Sequence, residues 1–168
     1  MALDSMYELL MDELRDMYHA ENQLLQALPK MARAARTPAL RKAFEDHVAQ
    51  TEDQVSRLEQ VFAELGVAAR GRRCKGMEGL LEESVDLMEE DGDESVLDAG
   101  LISAARRVEH YEMAAYGSIV AFAELLGEKQ VATILRASLE EEKAADQALT
   151  RIAEEEVHLM AVAAGMED

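Results

Sequence analysis

The sequence is poor in several residue types, and each shortage excludes a class of protein. Its 168 residues include one cysteine, two prolines, no tryptophan and only 4% aromatic residues. A single cysteine, Cys74, cannot form an intrachain disulfide or a thiolate zinc cluster. Basic residues are also scarce, with 17 lysines and arginines against 35 acidic residues and a formal net charge of −18. Proteins that bind nucleic acid or an anionic membrane surface need a basic face, so we expect neither partner.

The sequence also has no long apolar run. No segment approaches the roughly 20 apolar residues of a membrane-spanning helix. Residues 1–11 include Asp4 and Glu8 instead of the basic residues that open a secretion signal, so we expect a cytoplasmic location.

Helix-forming residues are what the chain has in abundance. Hydrophobic residues make up 49% of the sequence, and Ala, Leu, Met, Glu and Gln are strong helix formers. Apolar residues recur at helical spacing in long segments. The pattern predicts an all-α protein with a single domain over residues 1–168. We expect helices at about residues 2–35, 38–65, 77–90, 95–126 and 129–156, followed by a short C-terminal extension.

The residues that start and end these segments predict how the helices are connected and packed. Thr37 and Pro38 form a typical helix start, Ser95 is a candidate cap, and Gly66 and Gly127 are typical helix ends. Tight turns should make two antiparallel hairpins, one from the first two long helices and one from the last two. A long crossover with a short extra helix joins the hairpins. This is a ferritin-like antiparallel four-helix bundle.

Four predicted helices carry polar residues on their apolar faces. Glu21 lies on the first, His47 with Thr51 on the second, Glu112 on the next long helix and Glu142 on the last. A buried carboxylate is costly unless it is paired or bound to a cation. Their recurrence on several helices therefore predicts a shared site.

Residue counts from the two tight turns place these side chains at one height in the bundle. Glu21 should lie level with Thr51, and Glu112 should lie level with Glu142 and Asp146. Carboxylates that converge in a dry core must bind cations, hold protons or repel one another. Oxygen ligands with one imidazole favour iron or manganese over copper or a thiol-bound zinc.

The carboxylates also have simpler interpretations. Glu21 could lie in water at the edge of its apolar face. One of Glu109 and Glu112 could face solvent. A shift of register on the last helix could place Glu141, instead of Glu142, in the core.

His47 has an alternative interpretation as well. It could be a core histidine that is hydrogen-bonded to Thr51 or Gln54. The ten methionines are interpreted as core residues and not as ligands.

Several short motifs follow one another in a characteristic order. They are Tyr18-His-Ala-Glu-Asn-Gln-Leu24, His47-x-x-x-Thr51-x-x-Gln54, Asp98-Ala-Gly-Leu-Ile102, Val108-Glu-His-Tyr-Glu112 and Leu139-Glu-Glu-x-x-Ala-x-Asp146. The ordered set resembles the YciE/YciF family of ferritin-like proteins from the first helix to about Ala153.

The resemblance implies a rubrerythrin-like bundle, a homodimer, a di-metal site and an association with bacterial stress responses. Carried over to this sequence, it implies the metal ligands Glu21, Glu109, Glu112, Glu142 and Asp146, with His47 as a further candidate. Di-iron bundles usually place Glu-x-x-His on two helices, and neither the second nor the last long helix has that pair. We therefore expect an asymmetric site, a weakly held single metal or a site without oxidase chemistry.

Three functions fit this pattern. The first is a carboxylate-bridged metal protein that handles oxygen or peroxide, with di-iron favoured and manganese or zinc as alternatives. The second is metal or iron binding without turnover. The third is a structural or interaction protein of the stress response whose polar core sets helix register. The acidic layer favours the first two, and the sequence assigns no catalytic residue.

Overall fold

The computed structural model describes residues 3–166, and helices account for almost all of that range. The long helices are α1 (Met6–Ala34), α2 (Pro38–Glu64), α4 (Glu94–Leu126) and α5 (Lys129–Ile152), and α3 (Lys75–Glu89) lies in the crossover. A π-helical segment, Ala153–Val157, joins α5 to the short helix α6 (His158–Ala164). The all-α prediction is confirmed. None of the described helices combines the length and apolarity needed to cross a lipid bilayer.

The start of α1 is set by a local cap. The Ser5 hydroxyl accepts a hydrogen bond from the backbone N–H of Glu8 at 3.1 Å, so the helix begins at Met6. The predicted start near Ala2 lies outside the described residues. Residues 3–5 are not helical, so the helix begins later than the apolar pattern suggested.

The ends of α4 show one wrong and one correct prediction. Asp93, and not Ser95, caps its N-terminus, because the Asp93 carboxylate accepts hydrogen bonds from the backbone N–H groups of Ser95 and Val96. Gly127 ends the helix with a φ of 80°, in the left-handed region that favours glycine.

The helices pack as two hairpins, α1 with α2 and α4 with α5. The second hairpin lies against the first through contacts of α4 with α1 and of α5 with α2. In the crossover, α3 packs on α4 and α1. The predicted four-helix bundle with a long crossover is therefore confirmed. Its core is mostly leucine, methionine and alanine, and it includes the fully buried residues Leu10, Leu14, Leu24, Leu58, Phe62, Ile119 and Leu135.

A buried carboxylate on α4 fixes the turn between α1 and α2. Asp98 is 1% exposed and accepts hydrogen bonds from the backbone N–H groups of Arg36 at 3.0 Å and Thr37 at 2.6 Å. The Thr37 side chain makes no cap hydrogen bond of its own. Asp98 therefore satisfies backbone donors of the turn that leads into α2, and it ties the first hairpin to the second.

Replacement of Asp98 by alanine should lower the free energy of unfolding by roughly 2 kcal/mol, because buried backbone donors lose their acceptor. Urea unfolding measures the change. Asp46→Ala is the matched control, since Asp46 forms an exposed ion pair with Lys42 and its loss should cost less than about 0.5 kcal/mol. Equal losses in the two variants would show that Asp98 does not hold the turn.

Candidate metal centre

All four long helices contribute an ionisable side chain to the middle of the bundle. These are Glu21 on α1, His47 on α2, Glu109 and Glu112 on α4, and Glu142 on α5. Glu109 and Glu112 are three residues apart, so both project from one face of α4. None of the five is more than 5% exposed. The site is therefore a desolvated cluster in the core.

Four of these residues converge closely. His47, Glu109, Glu112 and Glu142 each offer one ligand atom, and the four atoms lie within 4.8 Å of one another. His47 Nε2 lies 3.7 Å from Glu109 Oε1 and 3.9 Å from Glu142 Oε2. These separations are too long for hydrogen bonds. They suit a shared ion, because metal–ligand bonds of about 2 Å place neighbouring ligand atoms roughly 3 to 4 Å apart.

Many polar atoms of this region have no hydrogen-bond partner within residues 3–166. Seven such buried atoms occur: Glu21 Oε2, His47 Nε2, Gln54 Oε1, Glu109 Oε2, Glu112 Oε1, Glu112 Oε2 and Glu142 Oε2. An unpartnered buried polar atom costs about 1–3 kcal/mol, and more if it is charged. Carboxylate oxygens and a neutral imidazole nitrogen are acceptors that a cation can satisfy. The residues present therefore fit a metal ion.

Two neutral side chains orient members of the cluster. The Tyr116 hydroxyl donates a hydrogen bond to Glu21 Oε1, and Gln54 Nε2 donates to Glu142 Oε1. In each carboxylate the second oxygen is the unpartnered one. Hydrogen bonds of this kind fix the orientation of metal ligands.

An ion pair between α2 and α5 shows which glutamate of α5 faces the core. Arg57 of α2 binds both carboxylate oxygens of Glu141, each at 2.6 Å. Glu142 is 0% exposed and belongs to the cluster. The predicted register of α5 is therefore confirmed, and the alternative with Glu141 inward is wrong.

Burial changes the protonation of the cluster. Burial raises the pKa of Glu109 to about 8. Burial is also the main reason that the pKa values of Glu21, Glu112 and Glu142 lie well above the usual range, and the neighbouring carboxylates raise them further. Without a metal, these groups therefore hold protons at a pH where exposed glutamates have lost theirs.

Asp146 is not brought into the cluster, contrary to the prediction. Its Oδ1 accepts a hydrogen bond from Arg106 Nε at 2.7 Å and lies 3.3 Å from His110 Nε2. The Arg106 guanidinium lowers the pKa of the Asp146 carboxyl. Residue counting correctly placed Asp146 of α5 beside α4. It did not show that the residue of α4 next to Asp146 is the basic residue Arg106.

Glu21 is buried, as expected for a ligand, but it lies outside the group of four converging atoms. Its orientation depends on Tyr116, which belongs to the motif Tyr116-Gly117 of the family resemblance but was not predicted to be part of the site. Tyr116 is fully buried on α4, four residues after Glu112 and so on the same helical face. That spacing was the signal that could have found it.

The core-histidine alternative named the wrong hydrogen-bond partners. The Thr51 hydroxyl donates to the backbone carbonyl of His47 at 2.9 Å, and Gln54 donates to Glu142. Neither contact involves the imidazole ring. The alternatives that placed Glu21, Glu109 or Glu112 in solvent are also wrong, because all three are buried.

The bundle with its long crossover, and the carboxylates and histidine in its core, define a ferritin-like helical-bundle protein. The chain matches the family described as "Domain of unknown function (DUF892)" over residues 5–162, and it belongs to that family. It is 44% identical to protein YciF of Escherichia coli over 141 residues, which cover 83% of this chain and 85% of that protein. The resemblance found in the sequence motifs is thereby confirmed.

Solved structures show the same fold. The E. coli stress protein YciF superposes with a TM-score of 0.87 at 41% identity, covering 89% of this chain and 95% of that one. YcfI of Rhodopseudomonas palustris, described as a candidate structural protein, gives 0.86 at 40% identity, covering 88% and 94%. A protein of Xanthomonas campestris, 22% identical with a TM-score of 0.73 over 97% of each chain, supports the fold alone.

The metal-free protein should become more stable as the pH falls from about 8 toward about 5. The Glu109 pKa is about 8 in the folded state against about 4.5 without burial, so the folded chain binds protons more tightly than the unfolded chain. The stability contribution is complete below the unfolded value and is lost as the pH rises through the folded value. Urea unfolding in the presence of chelator at several pH values measures this dependence.

Glu112→Leu tests the origin of that dependence. It removes a buried carboxylate and adds apolar packing, so it should stabilise the metal-free protein at pH 8 and flatten the pH profile. Glu140→Gln, on the exposed face of α5, should keep the wild-type profile. A wild-type stability that does not change between pH 5 and 8 would contradict the assigned burial of charge.

Proposed function

We propose that this protein binds one or two metal ions, most favourably iron, in the core of its bundle. We further propose that it acts in a stress response, in reactions with oxygen or peroxide or in iron handling. The observation that carries the proposal is the set of unpartnered nitrogen and oxygen atoms from four helices in a desolvated core. Manganese and zinc are alternatives with compatible ligand chemistry.

The ligand set divides into two parts. His47, Glu109, Glu112 and Glu142 would hold the first ion, since their ligand atoms already converge. The free oxygen of Glu21, with the second oxygen of a shared carboxylate, would serve a second ion. Asp146 is left out, because Arg106 already binds it. This asymmetric set agrees with the absence of the usual Glu-x-x-His pairs from α2 and α5.

The protein's own residues would prepare the site in three ways. Tyr116 and Gln54 fix the rotation of the Glu21 and Glu142 carboxylates. The surrounding apolar core leaves the cluster residues no more than 5% exposed. The carboxyls with raised pKa values would release protons as they take up the metal. The bound metal would supply Lewis acidity and, as iron, redox chemistry toward oxygen or peroxide.

A structural or interaction function is the second candidate. The Tyr116–Glu21 and Gln54–Glu142 hydrogen bonds each join different helices, and polar contacts of this kind can fix helix register. The description of YcfI as a candidate structural protein points in the same direction. In that case the core carboxyls would keep their protons at neutral pH and no metal would be needed.

The stress-response part of the proposal rests on relatedness, since the E. coli protein YciF is described as a stress protein. The homodimer and the cytoplasmic location implied at the sequence level stay predictions. Light scattering of the purified protein tests the dimer.

Chelator-stripped protein should bind one or two ferrous ions per chain when it is titrated anaerobically by calorimetry, with protons released into the buffer. Glu142→Gln keeps the shape of the side chain and its ability to accept from Gln54, but removes a ligand. We expect it to weaken binding by at least about tenfold, in the range that ligand-environment changes produce.

Glu140→Gln is the matched control, because Glu140 lies on the exposed face of the same helix and pairs with Lys143. It should bind iron as the wild type does. Unchanged binding by Glu142→Gln, or equal losses in both variants, would refute a metal site in the core and would favour the structural function.

A further inference from the structure

One cavity connects the cluster with the surface of the bundle. It lies between α2 and α5 and has a volume of about 500 Å³. Its buried end includes His47 and Glu109, which are 5% and 3% exposed. Its rim includes the exposed ion pair of Lys42 and Asp46. The cavity therefore gives outside molecules a route to one side of the cluster.

The other cluster residues are closed off on this side. Glu112 and Glu142 are 0% exposed, and neither lines the cavity. A molecule in the cavity would thus meet the His47 and Glu109 side of the cluster first.

The walls of the cavity are largely apolar. Alanine side chains line both sides, with Ala43 on α2 and Ala148 on α5, and the larger residues Phe44, Leu149 and Ile152 complete the wall. A water molecule occupies about 30 Å³, so a molecule of oxygen or hydrogen peroxide would fill only a small part of the cavity. Cavities of 300–1,000 Å³ typically hold small organic ligands.

The surroundings of the cavity favour an uncharged polar group on such a ligand. The walls are largely apolar, and a chain of net charge −18 disfavours an anionic group. His47 and Glu109 line the cavity, and an imidazole nitrogen and a carboxyl oxygen can each accept a hydrogen bond, so they favour an uncharged group with an O–H donor. An oxygen-bearing group also suits the proposed metal, which prefers oxygen ligands.

We propose that this cavity is a binding site for a neutral organic hydroperoxide, whose apolar body packs between α2 and α5 and whose O–H group reaches His47 and Glu109. The proposal deepens the proposed function and rests on it for its biological role. Binding itself depends on the cavity and can be measured without metal.

The test uses metal-free full-length protein and 2-phenylpropan-2-ol, a stable alcohol with an apolar body and one O–H donor. Calorimetry or NMR titration should detect binding to the wild type. The matched probe 2-methyl-2-phenylpropanoate has a similar body with a carboxylate and should bind at least about tenfold more weakly, because the apolar walls disfavour a charge that has left water.

Ala148→Phe fills the cavity and should weaken alcohol binding by at least about tenfold, because the ring takes the space of the ligand. Ala43→Phe, from the opposite wall, should do the same. Ala137→Phe is the matched control, since Ala137 is exposed on the same helix and does not line the cavity. It should bind the alcohol as the wild type does. Thermal unfolding confirms that each variant is folded.

The possible outcomes separate this inference from the proposed function. Alcohol binding that is lost in the Ala148 and Ala43 variants but kept in the control supports the cavity site, whether or not iron binds. Iron binding without any alcohol binding overturns the inference and leaves the metal site standing. Preferred binding of the carboxylate overturns the assigned ligand class. A change of oligomeric state in the cavity variants, with no binding to the wild type, would show that a second copy of the chain covers the cavity.

Discussion

Four carboxylates and one imidazole share the core of this bundle, and the cost of removing them from water constrains everything around them. A desolvated carboxylate must keep its proton, find donors or bind a cation. The structure provides a donor for one oxygen of Glu21 and one of Glu142, and it leaves both oxygens of Glu112 without a partner among the described residues. A metal site needs carboxylate oxygens that have no hydrogen-bond partner in the protein. A purely structural polar core would be more stable if every such oxygen had a donor.

The charged residues around the cluster also fit a metal site in the core. Arg57 neutralises Glu141 next to the cluster, while within residues 3–166 no lysine or arginine forms an ion pair with Glu142. Arg106 similarly neutralises Asp146. Basic residues thus pair with the carboxylates at the edge of the bundle, and the carboxylates of the core keep acceptors free. The cavity between α2 and α5 is lined by His47 and Glu109, so these two residues form the side of the cluster nearest to the solvent.

The sequence was sufficient for the fold because apolar spacing and connection length report on local structure. It was less informative where a distant group decides the outcome, as when Asp98 of α4 supplies the acceptor for the α1–α2 turn. In the site, counting from the turns found the height of Glu21, Glu112 and Glu142. Height alone does not show which neighbours a side chain meets, so Asp146 was misplaced beside the cluster and Tyr116 was missed.

Anomalous diffraction at the iron absorption edge, from crystals of anaerobically iron-loaded protein, shows directly whether the core binds iron. We expect a strong anomalous peak inside the bundle, bounded by His47 Nε2 and the carboxylates of Glu109, Glu112 and Glu142. A second, weaker peak toward Glu21 would mark a second ion. Iron found only at surface carboxylates, with the core side chains unchanged, would show that the buried cluster is not a metal site.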